Sequence, residues 1–159
     1  MCLVTSTFYH KKDNNRNVKC FVAKEDILVY KCLDCINGKY STPFQDMPIV
    51  FTKGKYVYIK VKMSQKIGCG IRENAVVSKG IHAFSTRGNA IKLVKSFYDV
   101  NGTSMHYAVI PKGSNFYLGS QGDVVSNNLI VYREKRCFDR HYPNIIDFNK
   151  YIDKYLKAE

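Results

Sequence analysis

One stretch of this chain concentrates groups that could do chemistry: Gly80-Ile81-His82-Ala83-Phe84-Ser85-Thr86, followed by Ala90. A glycine, a short strand carrying a histidine, then two hydroxyl residues at the mouth of a helix would gather His82, Ser85, Thr86 and free backbone N–H groups around one spot. A helix start of that kind binds anions, because its first N–H groups lack intrahelical partners and the macrodipole is positive there. The alternative is architectural: Ser85 and Thr86 only cap the helix, and His82 lies between strands. Backbone dipoles carry partial charge only, so an anion site here needs a cation on a neighbouring strand. Lys31, in the run Val29-Tyr30-Lys31, is the candidate. The expected ligand-binding set is Lys31, His82, Ser85 and Thr86.

Two further groupings combine positive charge with rings. Arg133, Lys135, Arg136 and Arg140, interleaved with Tyr132, Phe138 and Tyr142, form the densest basic-aromatic cluster. It could contact a phosphate backbone, or serve as a solvated link to a terminal helix. In Tyr56-Val57-Tyr58-Ile59-Lys60-Val61-Lys62, strand alternation would turn Val57, Ile59 and Val61 to the core. Tyr56, Tyr58, Lys60 and Lys62 would then make a face able to stack a base and hold a phosphate, or an ordinary solvated sheet surface.

Cys32-Leu33-Asp34-Cys35 is a C-x-x-C. A structural zinc site needs four ligands, and Cys69, Cys137 and scattered histidines do not supply a second close pair. A redox pair would open a helix, where the thiolate is favoured, whereas this one closes an apparent strand. Neither a metal nor a disulfide cycle is expected. The phosphate, dinucleotide, zinc-protease and serine-hydrolase signatures are absent, and Gly68-Cys69-Gly70 reads as a turn.

These residues must be held by elements, and the composition points to strands. The 159 residues include 12 Tyr and 9 Phe with no Trp, and 45% are hydrophobic, enough for one core. Strands are predicted at Val18 to Ala23, Ile27 to Leu33, Ile49 to Thr52, Tyr56 to Met63, Ala75 to Val77, Ile81 to Phe84, Met105 to Ile110, Phe116 to Leu118 and Leu129 to Arg133. The third and fourth should form a hairpin across Lys53-Gly54-Lys55. A helix opens at Ser85 or Thr86 with Ala90, Leu93, Val94 and Phe97 at helical spacing. A terminal helix has Asn144 as its cap and Ile145, Phe148, Ile152 and Tyr155 on one face. Tyr9 to Asn17 reads as a polar turn.

Lys plus Arg number 25 against 13 for Asp plus Glu, a net charge of +12 that draws phosphates, nucleic acid or an acidic protein surface. Such an excess also serves plain solubility. The first residues hold no apolar run of signal-peptide length, and no stretch approaches the ~18 apolar residues of a membrane span. With six scattered cysteines, the expectation is a reduced, cytoplasmic protein.

The stretch from Gly80 to Ala90 resembles the Gly-[Ile/Phe]-His-x-Phe signature of small, uncharacterised domains common in phages and bacteria. Those domains begin with a Val-Tyr-Lys strand and end with a Gly-x-Val-x-Ser-x-x-Ile strand, matched here by Val29-Tyr30-Lys31 and by Gly122-Asp123-Val124-Val125-Ser126-Asn127-Asn128-Leu129-Ile130. This resemblance spans Ile27 to Arg133 and implies a compact mixed fold without a defined activity. A second resemblance is to the ADP-ribosyltransferase superfamily. Lys31 stands where an Arg or His is expected, His82 stands for a Tyr, and Ser85-Thr86 resemble a Ser-Thr motif. It implies an enzyme using NAD, with Glu134 as the nearest acidic candidate; the Gly-rich partner of the first motif is missing.

The expectation is a single α+β domain over residues 1–159: mainly an antiparallel sheet of short strands, with one central helix and a C-terminal amphipathic helix. Its expected function is non-enzymatic binding of an anionic ligand, a nucleotide or nucleic acid. In a phage setting, that would mean sequestering a nucleotide signal of immunity in the host cytoplasm. An ADP-ribosyltransferase-like enzyme using NAD and a basic adaptor gripping an acidic protein remain as alternatives. No cofactor, metal or membrane partner is expected, and a homo-oligomer is compatible with these features.

Overall fold

The computed structural model describes residues 3–4, 20–43, 47–66, 76–119 and 122–156. In chain order the strands begin with β1 (Leu3–Val4), β2 (Phe21–Val22), β3 (Ile27–Ile36), β4 (Lys39–Ser41), β5 (Pro48–Ile49), β6 (Lys55–Tyr58), β7 (Ser64–Lys66), β8 (Val76–Lys79) and β9 (Ile81–Phe84). Helix α1 (Arg87–Asn101) follows, then β10 (Ser104–Ile110), β11 (Asn115–Leu118), β12 (Asp123–Ser126) and β13 (Leu129–Tyr132). Helix α2 (Lys135–His141), β14 (Ile146–Asp147) and α3 (Phe148–Tyr151), widening into a π-type turn at Ile152–Leu156, complete the order.

The fold is α+β and mostly antiparallel. The main sheet runs β2-β11-β12-β9-β3-β10-β13-β6, and β1-β8-β7 form a second, small sheet. Strand β3 is the hub: β10 pairs with it from Ile27 to Leu33, and β14 adds the one parallel pairing described, at Ile27 and Leu28. Strand alternation divides β3 cleanly. Ile27, Val29 and Leu33 join Ala108, Ile110, Phe116, Val124, Leu129 and Val131 in the principal core, which α3 closes with Phe148 and Tyr151. Tyr30 and Cys32 face the other way, under Ala90 of α1, while Phe138 of α2 covers Val109 and Tyr132. Burying a side chain such as Leu33 or Ile110 contributes about 1.5–3 kcal/mol, so the core face of β3 and β10 is a main source of stability. Among the described residues, no helix is long and apolar enough to cross a membrane.

Several local expectations are corrected. Thr52 and Lys55 form one isolated bridge over the left-handed Lys53 and Gly54, but the expected hairpin goes no further. Strand β5 pairs with β4 and β6 pairs with β13. The faces of β6 are the reverse of those expected: Tyr58 is buried, whereas Val57 and Ile59 are 42% and 70% exposed. Register with β13 explains this, because Tyr56 and Tyr58 stand opposite the core residues Val131 and Leu129. Strand β12 falls within the stretch that the phage-domain likeness matched to one strand, but it is separate from β13, and α2 lies where a solvated link was one alternative. The terminal helix is capped by Asp147, which accepts from the Lys150 N–H at 2.8 Å, not by Asn144. The polar turn expected at Tyr9 to Asn17, and the Gly68-Cys69-Gly70 turn, lie outside the described residues.

Candidate functional site

Strand β3 has an interruption in its ladder. On the side away from β10 it meets β14 at Ile27 and Leu28, β9 at Tyr30 alone, and β4 from Asp34 to Ile36. No described strand pairs with Lys31, Cys32 or Leu33 on that side. Gly80 leads directly into β9. Its φ is +136°, and a Cβ there would stand 2.3 Å from Val125 Cγ1 and 3.0 Å from Met63 Cγ, so only glycine lets the chain pass so close to β12. The wedge between β3 and β9 holds a cavity of about 170 Å³. Lys31, Cys32, His82, Phe84 and Asp123 line it, with Thr42, Pro43 and Met47 beside the β4–β5 connection, Tyr58 and Val61 on and after β6, and Leu93 of α1.

Four polar groups define the chemistry of this space. Lys31 shares the core face of β3 with Val29 and Leu33 and is 7% exposed. Its Nζ donates to the His82 carbonyl oxygen at 2.6 Å, and no carboxylate pairs with it among the described residues. Burial pulls its pKa down to about 8, because the low-dielectric interior disfavours the ammonium. His82 alternates with the core residues Ile81 and Ala83, so its ring lies on the opposite face of β9. Its Nε2 is buried without a protein partner, and burial, reinforced by Lys31, pushes its pKa down to about 4. The Tyr58 hydroxyl is likewise buried and unpartnered, and burial raises its pKa. Burial also raises the Asp123 carboxyl.

Buried polar side-chain atoms almost always find a partner, and leaving one without costs about 1–3 kcal/mol. Here two such atoms and an ammonium with no carboxylate partner among the described residues belong to residues that line one cavity. The cysteine on the cavity wall is not set up as a nucleophile. Burial pushes the Cys32 thiol up to about 12, and its Sγ donates to the Ala90 carbonyl at 3.4 Å, so it stays neutral at ordinary pH. As residues i and i+3 of one strand, Cys32 and Cys35 also point to opposite faces and cannot hold one metal between them.

The structure brings two of the four expected ligand residues together, with Lys31 bonded to the backbone of His82 on the cavity wall. Ser85 and Thr86 do not line the cavity. Ser85 is buried, its Oγ donating to the Gly122 carbonyl at 2.8 Å and its N–H to the same oxygen at 2.7 Å. Thr86 precedes α1 as its cap, its Oγ1 accepting from the Asn89 N–H at 3.4 Å. In the second basic set, Arg133, Lys135, Arg136 and Arg140 are exposed, but Tyr132 and Phe138 belong to the interior and offer no stacking surface. Glu134 pairs with Arg136 at 2.7 Å and Arg133 at 3.6 Å, and Lys135 pairs with Asp139 at 2.9 Å. Tyr58, expected on a stacking face with Tyr56, Lys60 and Lys62, and Asp123, quoted only within the Gly122–Ile130 likeness, enter this site without having been assigned to it. No protein-family model, curated protein or solved structure matches the chain.

Proposed function

We propose that the chain is a non-enzymatic binding module for a compact anionic ligand, foremost a nucleotide, with the anionic group held in the cavity between β3 and β9. The observation that carries this reading is Lys31, an ammonium buried on the cavity wall beside a backbone carbonyl and no carboxylate. An unpaired buried charge is costly, and an anion that enters with the opposite charge offsets that cost. Enclosure supports a compact ligand over a nucleic-acid strand, whose phosphates need an open track. Tyr58 and His82 offer hydrogen bonds that orient the ligand, and Val61, Ile81 and Leu93 give it apolar walls. Sequestration of a nucleotide is the role that the likeness to phage domains suggests. Glu134, the acid that the transferase likeness offers, stands outside the cavity lining, tied to two arginines, and the acid that does line it, Asp123, is held toward its neutral form by burial.

Thermal shift against NAD, mononucleotides, cyclic oligonucleotides and inorganic phosphate tests the proposal. A ligand at 100 times its Kd should add ~2.7 kcal/mol of stability. Lys31→Met should keep the fold and lose that shift. A shift that persists undiminished in Lys31→Met, or no shift with any of these anions, overturns the reading.

A further inference from the structure

We propose that Lys31 also captures small carbonyl compounds, its Nζ forming a reversible imine inside the cavity between β3 and β9. This goes beyond anion binding and does not depend on it, since the ammonium holds an anion whereas the free amine attacks a carbonyl. Imine-forming lysines need an amine that is unprotonated part of the time, an apolar enclosure that limits hydrolysis, and nearby groups that move protons. Lys31 meets the first condition because it is buried with no carboxylate partner among the described residues to hold its proton, and a pKa pulled down to about 8 raises its free-amine share at pH 7 well above that of an exposed lysine. Val61, Ile81, Ala83 and Leu93 supply the enclosure. Tyr58 and His82 belong to the cavity lining, and the Tyr58 hydroxyl and neutral His82 Nε2 are buried without protein partners, one able to donate a proton and the other to accept one.

The step balances without any redox partner. The Nζ lone pair attacks the carbonyl carbon, the C=O π pair moves to oxygen, and a proton passes from nitrogen to that oxygen to give a carbinolamine. The hydroxyl then leaves as water with the second N–H proton, and C=N remains. Amine plus aldehyde becomes imine plus water.

Incubating the full chain with benzaldehyde and sodium cyanoborohydride, then mapping peptides by mass, tests the proposal. The hydride reagent serves only to trap the imine. The expected result is one N-benzyl group at Lys31, formed at least tenfold faster than at exposed lysines such as Lys53 and Lys92, with a half-maximal rate near pH 8. Lys31→Arg, which keeps the charge, should lose this product. Labelling that is no faster at Lys31 than at the exposed lysines, or that spares Lys31, overturns the inference. Selective labelling together with no thermal shift from any anion would uphold the imine while removing the anion reading.

Discussion

Lys31 and the cations around α2 are the same kind of charge under opposite conditions. Arg133, Lys135 and Arg136 sit in water with acidic neighbours, Glu134 and Asp139, within salt-bridge distance. Lys31 sits in the core with a carbonyl and no acid. Two histidines repeat the contrast. His106, across the ladder from Lys31, has Ser104 Oγ at 2.8 Å from Nε2 and the carbonyls of Tyr132 and Arg133 at 3.2 Å from Nδ1, whereas His82 leaves Nε2 unpartnered. Satisfied groups hold the fold; unsatisfied ones signal a use. The net charge of the chain says nothing about which cation belongs to which class.

The largest effect that would sharpen this contrast is expected at Lys31. Moving its pKa from 10.5 to about 8 corresponds to a burial cost on the order of 3 kcal/mol. Lys31→Met should therefore raise the ligand-free unfolding free energy by up to that amount while weakening anion binding at least tenfold. Denaturant unfolding and calorimetric titration check the two halves, and a destabilised Lys31→Met would break the comparison. The wild type should carry the matching pH signature. The folded pKa is the lower one, so the penalty is complete below pH 8 and relieved as pH rises from 8 toward 10.5; over that interval the wild type should gain on the variant.

Next in size is the histidine pair. His106→Ala should cost about 1–3 kcal/mol, because it strips partners from a buried network, while His82→Phe should be close to neutral in the absence of ligand. With the His82 pKa lowered to about 4 from 6.5, the unfolded chain binds the proton more readily between those values. Stability is retained above pH 6.5 and lost as pH falls through 4, and His82→Phe should flatten that slope in acid titrations followed by circular dichroism. Around α2, alanine at Arg133, Lys135 or Arg136 should change stability by less than about 1 kcal/mol. A larger loss in denaturant melts would show that those pairs carry structure. The smallest expected effect is that of a metal chelator, which should leave the melting temperature unchanged, because Cys32 and Cys35 diverge across β3.

Much of the fold was legible because it follows local rules. The β-branched run in β3, the strand Ile81–Phe84 and the spacing of Ala90, Leu93 and Val94 behind Thr86 all appear where the pattern places them. What escaped was decided at a distance. An alternation of aromatic and aliphatic residues in β6 fits either face, and β13 alone chose which side went inward. The stretch Gly122–Ile130, matched by likeness to one strand, divides into β12 and β13, because β12 pairs with β9 and β13 with β10 and β6. At the site, Lys31 and His82 could be singled out by type. That no described carboxylate pairs with either of them depends on the whole surrounding core, and sequence spacing does not encode it.

The hub position of β3 has a consequence for how the chain is made. Its partners β9, β10 and β14 all lie far downstream, and synthesis is slow enough that β3 leaves the ribosome seconds before any of them. During that interval β4 can pair only Asp34 to Ile36, and the mostly apolar run from Ile27 to Leu33 stands with both edges open, the kind of segment on which neighbouring nascent chains aggregate. Lys31 and Asp34 are the only charges of β3, and charge within such a run discourages pairing between copies. A charge that the finished fold holds at a cost thus guards the chain while it is unfinished, and Lys31→Met should yield less soluble protein even as the purified variant melts later.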